Sequence, residues 1–283
     1  MRAVRSAYDV VAVWEIATPS GAGPVPGVGM AGFRARAADP VDLGVVPFPA
    51  VTLALDLGEG PLAVDDASGG RECGSVLVGL DPGPVRGRGS GVDCLQVRLS
   101  PPAAHAVLGG AAAEAGGSVV PLDALWGRDT ARVLERLRAA ASWDCRFAIA
   151  QAELARRCAE SRRVDPEVAE VWRRMVTEHG GARVERMAAE VGWSRKRLWS
   201  RFRSQIGVTP KRAAQLVRFD HAAHRLAAGH GVARIAAECG YADQSHLHRD
   251  VAAFTGATPA ALAAAPWLAV DEIAWPRRAA ACR

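Results

Sequence analysis

The sequence predicts an α+β protein with a β-rich N-terminal domain, a helical middle segment and an all-helical C-terminal domain. Short apolar runs separated by Gly/Pro clusters fill the first 100 residues, a pattern typical of a small sandwich or barrel. Longer stretches with helical periodicity follow. After Gly181 the chain repeats itself with an offset of 48 to 49 residues, which indicates a duplicated structural unit.

The first 100 residues contain several short runs of β-forming residues. A segment rich in Pro, Gly and Ala, residues 19–40, is predicted to be a long loop. Residues 45–49 lead into a strand, and Asp65–Asp66 is predicted to be a turn. The glycine-rich stretch 87–91 opens no helix, which argues against a phosphate-binding loop. The predicted strands are residues 8–14, 51–57, 75–80 and 94–99.

Helices are predicted from Ser100 onward. The first has a Ser cap, prolines in its first turn and a Gly–Gly stop after residue 108. Others are predicted at 129–140, at 144–163 and from Pro166 to the glycine pair 180–181, which we take as a domain boundary. The predicted organisation is a β-rich sensor or interaction domain (1–100), a helical coupling or dimerisation segment (101–180), the repeated domain (181–265) and a tail (266–283).

Positive charge is concentrated in the repeated domain. Residues 181–265 contain thirteen Lys and Arg against six acidic residues, whereas the remainder contains 22 against 24. A basic module of this kind is the usual electrostatic footprint of a polyanion partner. The N-terminal apolar stretch is interrupted by Glu15, and no run of about 18 apolar residues occurs. The sequence therefore predicts no signal peptide, no membrane association and a cytoplasmic location.

No catalytic or metal-binding motif is recognisable. The six cysteines form no C-x-x-C pair and no zinc-finger spacing, so we expect small core residues, with a Cys73–Cys94 redox pair as the alternative. A nucleophile elbow, a P-loop and an H-E-x-x-H motif are absent, and His105 is the only histidine before residue 179. The sequence predicts no enzyme, no metal site and no cofactor.

Each repeated unit has the pattern of a helix-turn-helix. Residues 184–191 have helical periodicity, Gly192 ends that helix, and Ser194 is a good N-cap for a second helix over 195–205. The small Ala188 allows two helices to cross closely at a steep angle. The second unit repeats this plan, with Ile235–Cys239 in the first helix, Gly240 at the turn and Asp243 as the cap. The predicted buried stripes are Leu198, Phe202 and Ile206, then Leu247, Val251 and Phe254.

A single helix over residues 211–228 is predicted to connect the two units. Eighteen residues at about 1.5 Å each give roughly 27 Å. The major groove of DNA repeats at about 34 Å, so a connector of this length can hold two recognition helices in successive grooves.

Residues 167–265 resemble the DNA-binding domain of the AraC/XylS-type transcriptional regulators. The order and spacing of both units match that family. One departure is Val251–Ala252, where the family has an aromatic–basic pair, and it predicts a weaker phosphate grip in the second unit. The N-terminal domain is only loosely similar to the family's sensor domains, which include cupin-like barrels. The matching residues are Ala188, Gly192, Ser194, Leu198, Phe202, Gly207, Thr209, Pro210, Arg218, Ile235, Ala236, Gly240, Tyr241, Asp243, Ser245, Leu247, Arg249, Gly256, Thr258 and Pro259.

The resemblance implies base contacts from the exposed face early in each second helix. Arg and Lys can donate to guanine, Gln can bridge adenine, and a Trp ring can contact a thymine methyl group. Phosphate contacts set the register rather than the sequence that is read. The predicted base-contacting residues are Arg195, Lys196, Trp199, Ser200, Gln244, Ser245, His248 and Arg249. The predicted phosphate-contacting residues are Arg197, Arg201, Arg203 and Arg218.

Several of these residues have a structural alternative. Trp199 can pack between helices instead of contacting DNA. Arg201 and Arg203 can form a solvated face, and Arg249 can pair with Asp243 or Asp250. The first unit is the more basic, and we predict that it contributes most of the affinity for DNA.

The histidine pairs also have two interpretations. His246 and His248 are two residues apart and do not share a helix face, which argues against a metal site. His221 and His224 are three residues apart on the connecting helix. We expect that pair to lie on a solvated face, with a metal site as the alternative.

These features predict a bacterial, sequence-specific transcription factor. Its expected partner is double-stranded DNA, with a small-molecule effector and RNA polymerase as further candidates, and it is a monomer or a homodimer. One alternative is an N-terminal domain that only dimerises or binds protein. Another is an enzyme fused to a DNA-binding domain, which would need a Pro-Cys-His nucleophile or a cysteine zinc cluster. The tail tryptophans Trp267 and Trp275 either pack back on a domain or form a contact surface.

Overall fold

A computed structural model describes residues 13–21, 23–36, 40–81 and 83–275. The described part contains ten strands and thirteen helices. The strands are β1 (Trp14–Ala17), β2 (Val28–Ala35), β3 (Val41–Val45), β4 (Val51–Asp56), β5 (Ala63–Asp65), β6 (Arg71–Cys73), β7 (Val76–Val78), β8 (Val85–Gly89), β9 (Asp93–Leu99) and β10 (Val119–Pro121). They form two antiparallel sheets with the orders β1-β2-β9-β4-β7-β10 and β3-β8-β5-β6.

The two sheets face each other as a small sandwich. Strand β4 is buried along its whole length, because its even-numbered side chains point between the sheets while Leu53 and Leu55 point to the other side. A two-sheet N-terminal domain followed by helices confirms the predicted α+β class. The predicted strands at 51–57, 75–80 and 94–99 correspond to β4, β7 and β9. The predicted strand at 8–14 lies almost wholly outside the described residues, and β1 begins at Trp14.

The prediction of a loop over residues 19–40 is wrong, because β2 lies within it and pairs with both β1 and β9. Its sequence, VGMAGFRA, is rich in glycine and alanine, which suggested a loop. The small residues have a packing role instead. A Cβ on Gly32 would lie 2.3 Å from the Trp143 ring, and one on Gly29 would lie 3.0 Å from the Trp275 ring. Glycine lets two aromatic rings lie directly on the strand.

The glycine-rich stretch 87–91 is also partly strand, since β8 runs to Gly89 and pairs with β3 and β5. The predicted turn at Asp65–Asp66 falls at the end of β5. The Asp66 carboxylate accepts hydrogen bonds from the backbone of Ser68 and Gly70 at 2.8 and 2.9 Å, which closes the turn into β6.

Six helices precede the repeated domain. The predicted helices at 100–108, 129–140, 144–163 and 166–180 are confirmed with small shifts at their ends, whereas two helices of five residues were not predicted. The six are α1 (Pro101–Leu108), α2 (Ala111–Ala115), α3 (Leu122–Trp126), α4 (Arg128–Ala139), α5 (Trp143–Glu160) and α6 (Pro166–Thr177).

Seven more helices complete the described chain. They are α7 (Val184–Glu190), α8 (Arg195–Ile206), α9 (Pro210–Ala227), α10 (Val232–Glu238), α11 (Gln244–Thr255), α12 (Pro259–Ala263) and α13 (Pro266–Ala274). The buried apolar residues of strands and helices form one continuous cluster. Within the described residues, no helix is long and apolar enough to cross a membrane.

Helix α13 packs back onto the β-sandwich. The Trp267 ring is 4% exposed and lies 6.0 Å from the Phe33 ring, measured between centroids. The guanidinium of Arg98 on β9 lies over the Trp275 ring, with its Cζ atom 4.2 Å from the ring centroid. Of the two interpretations of the tail tryptophans, packing on a domain is the one observed.

The cysteines differ from the expectation in part. Cys94 and Cys239 are buried, as expected, and burial raises the pKa of both thiols. The expectation is wrong for Cys73 and Cys145, which are exposed because one lies on the edge strand β6 and the other in the first turn of α5. Cys73 and Cys94 are both free thiols.

The contact between Gly32 and Trp143 predicts a large effect from a small substitution. We expect Gly32→Ala to lower the free energy of unfolding by about 1–3 kcal/mol, because the added methyl group must displace an indole ring. Chemical denaturation of the purified protein measures this. Gly44→Ala on β3 is the matched control, since no atom lies within 4 Å of its added Cβ. Equal stability of the two variants would contradict the prediction.

Candidate DNA-binding surface

The first helix-turn-helix unit comprises α7 and α8. Gly192 links them with φ 70°, a left-handed conformation that glycine adopts at low cost. The following Trp193 is buried, and its backbone N–H donates to Ala188 O at 2.9 Å. Ser194 caps α8, where its hydroxyl oxygen accepts from Arg197 N at 3.2 Å. The turn and the cap are both as predicted.

The second unit comprises α10 and α11 and uses the same devices. Gly240 has φ 73°, and Tyr241 is buried in the position equivalent to that of Trp193. The Asp243 carboxylate caps α11 by accepting from His246 N at 2.6 Å. Side chains buried inside the two units include all six predicted stripe residues: Leu198, Phe202, Ile206, Leu247, Val251 and Phe254.

Helix α9 connects the two units. It has 18 residues, which corresponds to roughly 27 Å. The Thr209 hydroxyl caps its N-terminus by accepting from Arg212 N at 3.2 Å. Phe219, near its middle, stacks on Phe254 of α11 with centroids 4.7 Å apart. Because this helix packs against α8 as well as α10 and α11, it holds both units in a defined arrangement.

All eight predicted base-contacting residues are exposed. In each recognition helix, α8 or α11, they occupy the first, second, fifth and sixth of six consecutive positions, a spacing that places four side chains on one face. The two faces are therefore equivalent in the two units. The residues are Arg195, Lys196, Trp199, Ser200, Gln244, Ser245, His248 and Arg249.

The surface of α8 combines cations with exposed aromatic area. Trp199 is 46% exposed, and the Arg203 guanidinium lies 5.3 Å from its centroid. Arg197 lies 4.4 Å from the ring of Trp193 in the same manner. Arg195 approaches Glu185 at 3.3 Å while remaining largely exposed. Arginines held against rings in this way are already oriented on the surface.

Two of the predicted phosphate-contacting arginines have acidic partners. Arg201 donates to both carboxylate oxygens of Asp165, at 2.7 and 2.9 Å, and these hydrogen bonds hold the pKa of Asp165 below its usual value. Arg218 lies inside the second unit, 3.8 Å from the Asp250 carboxylate and over the ring of Tyr241. Arg218 thus joins α9 to α11 from within.

The structure also shows the surroundings of Arg249 and of the two histidines on α9. Arg249 contacts neither of its two suggested acids in the described structure, and its Nε donates to Ser245 O at 3.3 Å. The expectation of a solvated face is wrong for His224, whose side chain is 13% exposed and whose Nε2 lies 3.2 Å from Asp271 Oδ2. Helix α13 covers that position, which no local pattern around residue 224 reveals. The neighbouring His221 stacks on His179 with centroids 4.1 Å apart.

The DNA-binding half also contacts the rest of the chain. The Arg212 guanidinium donates to both carboxylate oxygens of Asp81, at 2.6 and 2.8 Å, although the residues are 131 positions apart. Gly207 at the end of α8 lies close to Ala113 on α2. A Cβ added to Gly207 would lie 2.7 Å from the carbonyl oxygen of Ala113. Sequence analysis missed both contacts, because neither residue carries a recognisable pairing signal.

One protein family and several solved structures show similarity to this chain. Residues 187–265 match a family model described as a helix-turn-helix domain. Among solved structures, the chain is similar to ToxT from Vibrio cholerae O395, with a TM-score of 0.47 and 11% identity over 84% of this chain and 97% of that one. It is also similar to the AraC-like transcriptional activator CuxR, with a TM-score of 0.24 and 16% identity over 70% and 83% of the two chains. No curated protein matches the sequence.

The fold and the family match agree on the kind of domain that the C-terminal region forms. The C-terminal region is a DNA-binding domain with two helix-turn-helix units. More particularly, residues 187–265 form the helix-turn-helix domain that this family model describes, and the chain is a DNA-binding transcriptional regulator.

The charge difference between the two recognition faces yields a prediction about affinity. We expect Lys196→Ala to weaken DNA binding more than Gln244→Ala, because the first face has two cations that can contact guanine or phosphate. Titration of labelled DNA against each variant measures both losses. A larger loss for Gln244→Ala would overturn this ranking.

The exposed arginines of α8 yield a second prediction. If Arg203 contacts a phosphate, Arg203→Ala reduces the slope of log K against log salt by about one. Arg173→Ala is the control, because Arg173 is also an exposed arginine but lies on α6 rather than on a recognition helix and pairs with Glu170. The measurement is a DNA titration at several salt concentrations. An unchanged slope for Arg203→Ala would remove it from the set of phosphate contacts.

Proposed function

We propose that the protein is a cytoplasmic bacterial regulator that reads DNA sequence through both recognition helices. The main support is that α8 and α11 expose equivalent faces and that a single helix, α9, packs against both. The face on α8 supplies Arg195, Lys196, Trp199 and Ser200 to base edges, and the face on α11 supplies Gln244, Ser245, His248 and Arg249. Arg197 and Arg203 are proposed to grip the backbone.

Two arginines are proposed to act less directly. Arg201 already forms an ion pair with Asp165, so it contacts a phosphate only if that ion pair opens. Arg218 positions α11 from inside the unit through Asp250 and Tyr241. Because one chain carries two units, a monomer can fill two adjacent half-sites, and a homodimer is not required for binding. RNA polymerase is the proposed second macromolecular partner of a regulator bound near a promoter.

We further propose that a small molecule bound in the N-terminal domain modulates DNA binding. This is supported by a cavity of about 100 Å³ between the two sheets, lined by apolar side chains from both. A closed sandwich core would fill this space with its own side chains. The cavity favours an effector-binding domain over one that only dimerises.

A binding selection with the full-length protein tests the DNA-reading proposal. Random duplex DNA is selected at two salt concentrations. We expect one motif with two preferred blocks about ten base pairs apart, the spacing of successive major grooves. A single block would mean that only one unit reads bases. Salt-sensitive binding with no motif would mean that the protein grips the backbone alone, and sequence-specific regulation would be refuted.

A further inference from the structure

The cavity in the β-sandwich has a restricted chemistry. Aliphatic and aromatic residues make up most of its lining, among them Phe33, Leu43 and Phe48. Arg88 is the one cation among the described residues that line it. Its guanidinium already approaches Asp65 at 3.0 Å and Asp42 at 3.4 Å. A ligand carboxylate would therefore meet a cation whose charge is already neutralised, so the lining disfavours a charged ligand.

Two hydrogen-bond donors in the wall are unused. The indole N–H groups of Trp14 and Trp267 are buried and have no acceptor among the described residues, and both side chains line the cavity. A buried N–H without an acceptor is costly, so such groups normally have a partner. Both N–H groups are shielded from the cavity as the chain stands, so an acceptor oxygen on an otherwise apolar ligand would supply the partner by displacing the tryptophan side chain. The fitting class is an uncharged apolar molecule with a ketone, ester or ether oxygen.

Trp267 belongs to α13, which also touches the DNA-binding half. One turn after Trp267 on the same helix, Asp271 forms a buried ion pair with Arg98 of β9. The other carboxylate oxygen of Asp271 lies 3.2 Å from His224 Nε2 on α9. Burial acts to raise the pKa of Asp271, but the charge of Arg98 and the hydrogen bond from His224 outweigh it, so the carboxylate has a lowered pKa. One helix thus joins the cavity wall to the connector between the two recognition helices.

We propose that an uncharged, apolar ligand with an acceptor oxygen binds in this cavity against Trp267, and that α13 transmits its presence to α9 through Asp271 and His224. The proposal rests on the effector role assigned above and specifies its ligand class and its route. A ligand that displaces Trp267 together with its helix also displaces Asp271, which lies one turn further along the same helix. The position of α9 then changes, and with it the arrangement of the recognition helices.

The ligand class is tested without DNA. The probe is 6-propionyl-2-(dimethylamino)naphthalene, an uncharged aromatic ketone whose fluorescence changes in apolar surroundings and on hydrogen bonding to its carbonyl group. We expect it to bind the full-length protein, and Trp267→Phe to weaken binding by roughly two- to ten-fold through loss of the N–H donor. Trp126→Phe is the matched control, because Trp126 is a buried tryptophan of α3 outside the cavity.

Displacement of the probe distinguishes uncharged ligands from anionic ones. Undecan-2-one should displace the probe, whereas undecanoate, of equal chain length, should not. No probe binding would refute both the effector cavity and this proposal, while the DNA selection above would stand unaffected. Equal displacement by undecanoate, or equal affinity of Trp267→Phe and the wild type, would overturn the ligand class.

The route is tested by reciprocity. Binding linkage requires that a ligand which alters DNA affinity has its own affinity altered by DNA to the same extent. With a saturating duplex that the protein binds, we expect the dissociation constant of the probe to change roughly five-fold or more in the wild type. We call the dissociation constant of the probe with DNA, divided by its value without DNA, the coupling ratio. His224→Ala should bring this ratio to about one and leave probe binding in the absence of DNA intact.

The matched control for the route is His221→Ala, on the same helix, where the imidazole stacks on that of His179. It should keep the wild-type ratio. A wild-type ratio of one would refute coupling and leave the cavity and the DNA reading in place. A full ratio in His224→Ala would show that coupling runs by another path.

Discussion

A buried ion pair between Arg98 on β9 and Asp271 on α13 joins the sandwich to the last described helix. Arg98 lies over the rings of Phe48 and Trp275, at 3.5 and 4.2 Å from their centroids, and the Asp271 carboxylate is its direct ion-pair partner. Removing one partner of such a pair costs about 3–5 kcal/mol, because the other charge stays buried. The pair therefore anchors α13, and α13 in turn contributes Trp267 to the lining of the cavity and contacts α9.

The DNA-binding half combines two kinds of arginine. Arg197 and Arg203 on α8 lie outward over aromatic rings, where they remain available to a polyanion. Arg218 lies inward against Asp250 and Tyr241 and links α9 to α11. Arg218 therefore stabilises the packing of α9 against α11, but its charge is not available on the surface. The first unit is consequently the more basic surface, in keeping with its proposed larger share of the affinity.

Much of the fold was predictable from the sequence, but for different reasons in its two parts. The helices of the repeated domain have bounds within a few residues of the predicted ones, because caps such as Ser194 and Asp243 act on their own backbone neighbours. Strand β2 was missed, since its glycines signal a loop unless Trp143 and Trp275 are known to lie on them. The exposure of the predicted recognition faces followed from periodicity, whereas the inward orientation of Arg218 did not.

By itself, the sequence determined the class of the fold, the duplicated helix-turn-helix units, their turns and caps, and which face of α8 and of α11 is exposed. These depend on interactions between residues a few positions apart, which leave a local pattern. Only the tertiary structure decided that Arg212 pairs with Asp81, that Asp271 bridges Arg98 and His224, and that Trp267 lines the cavity of the sandwich. Each joins residues more than forty positions apart. Such a contact is created by the packing of whole elements and leaves no spacing to read.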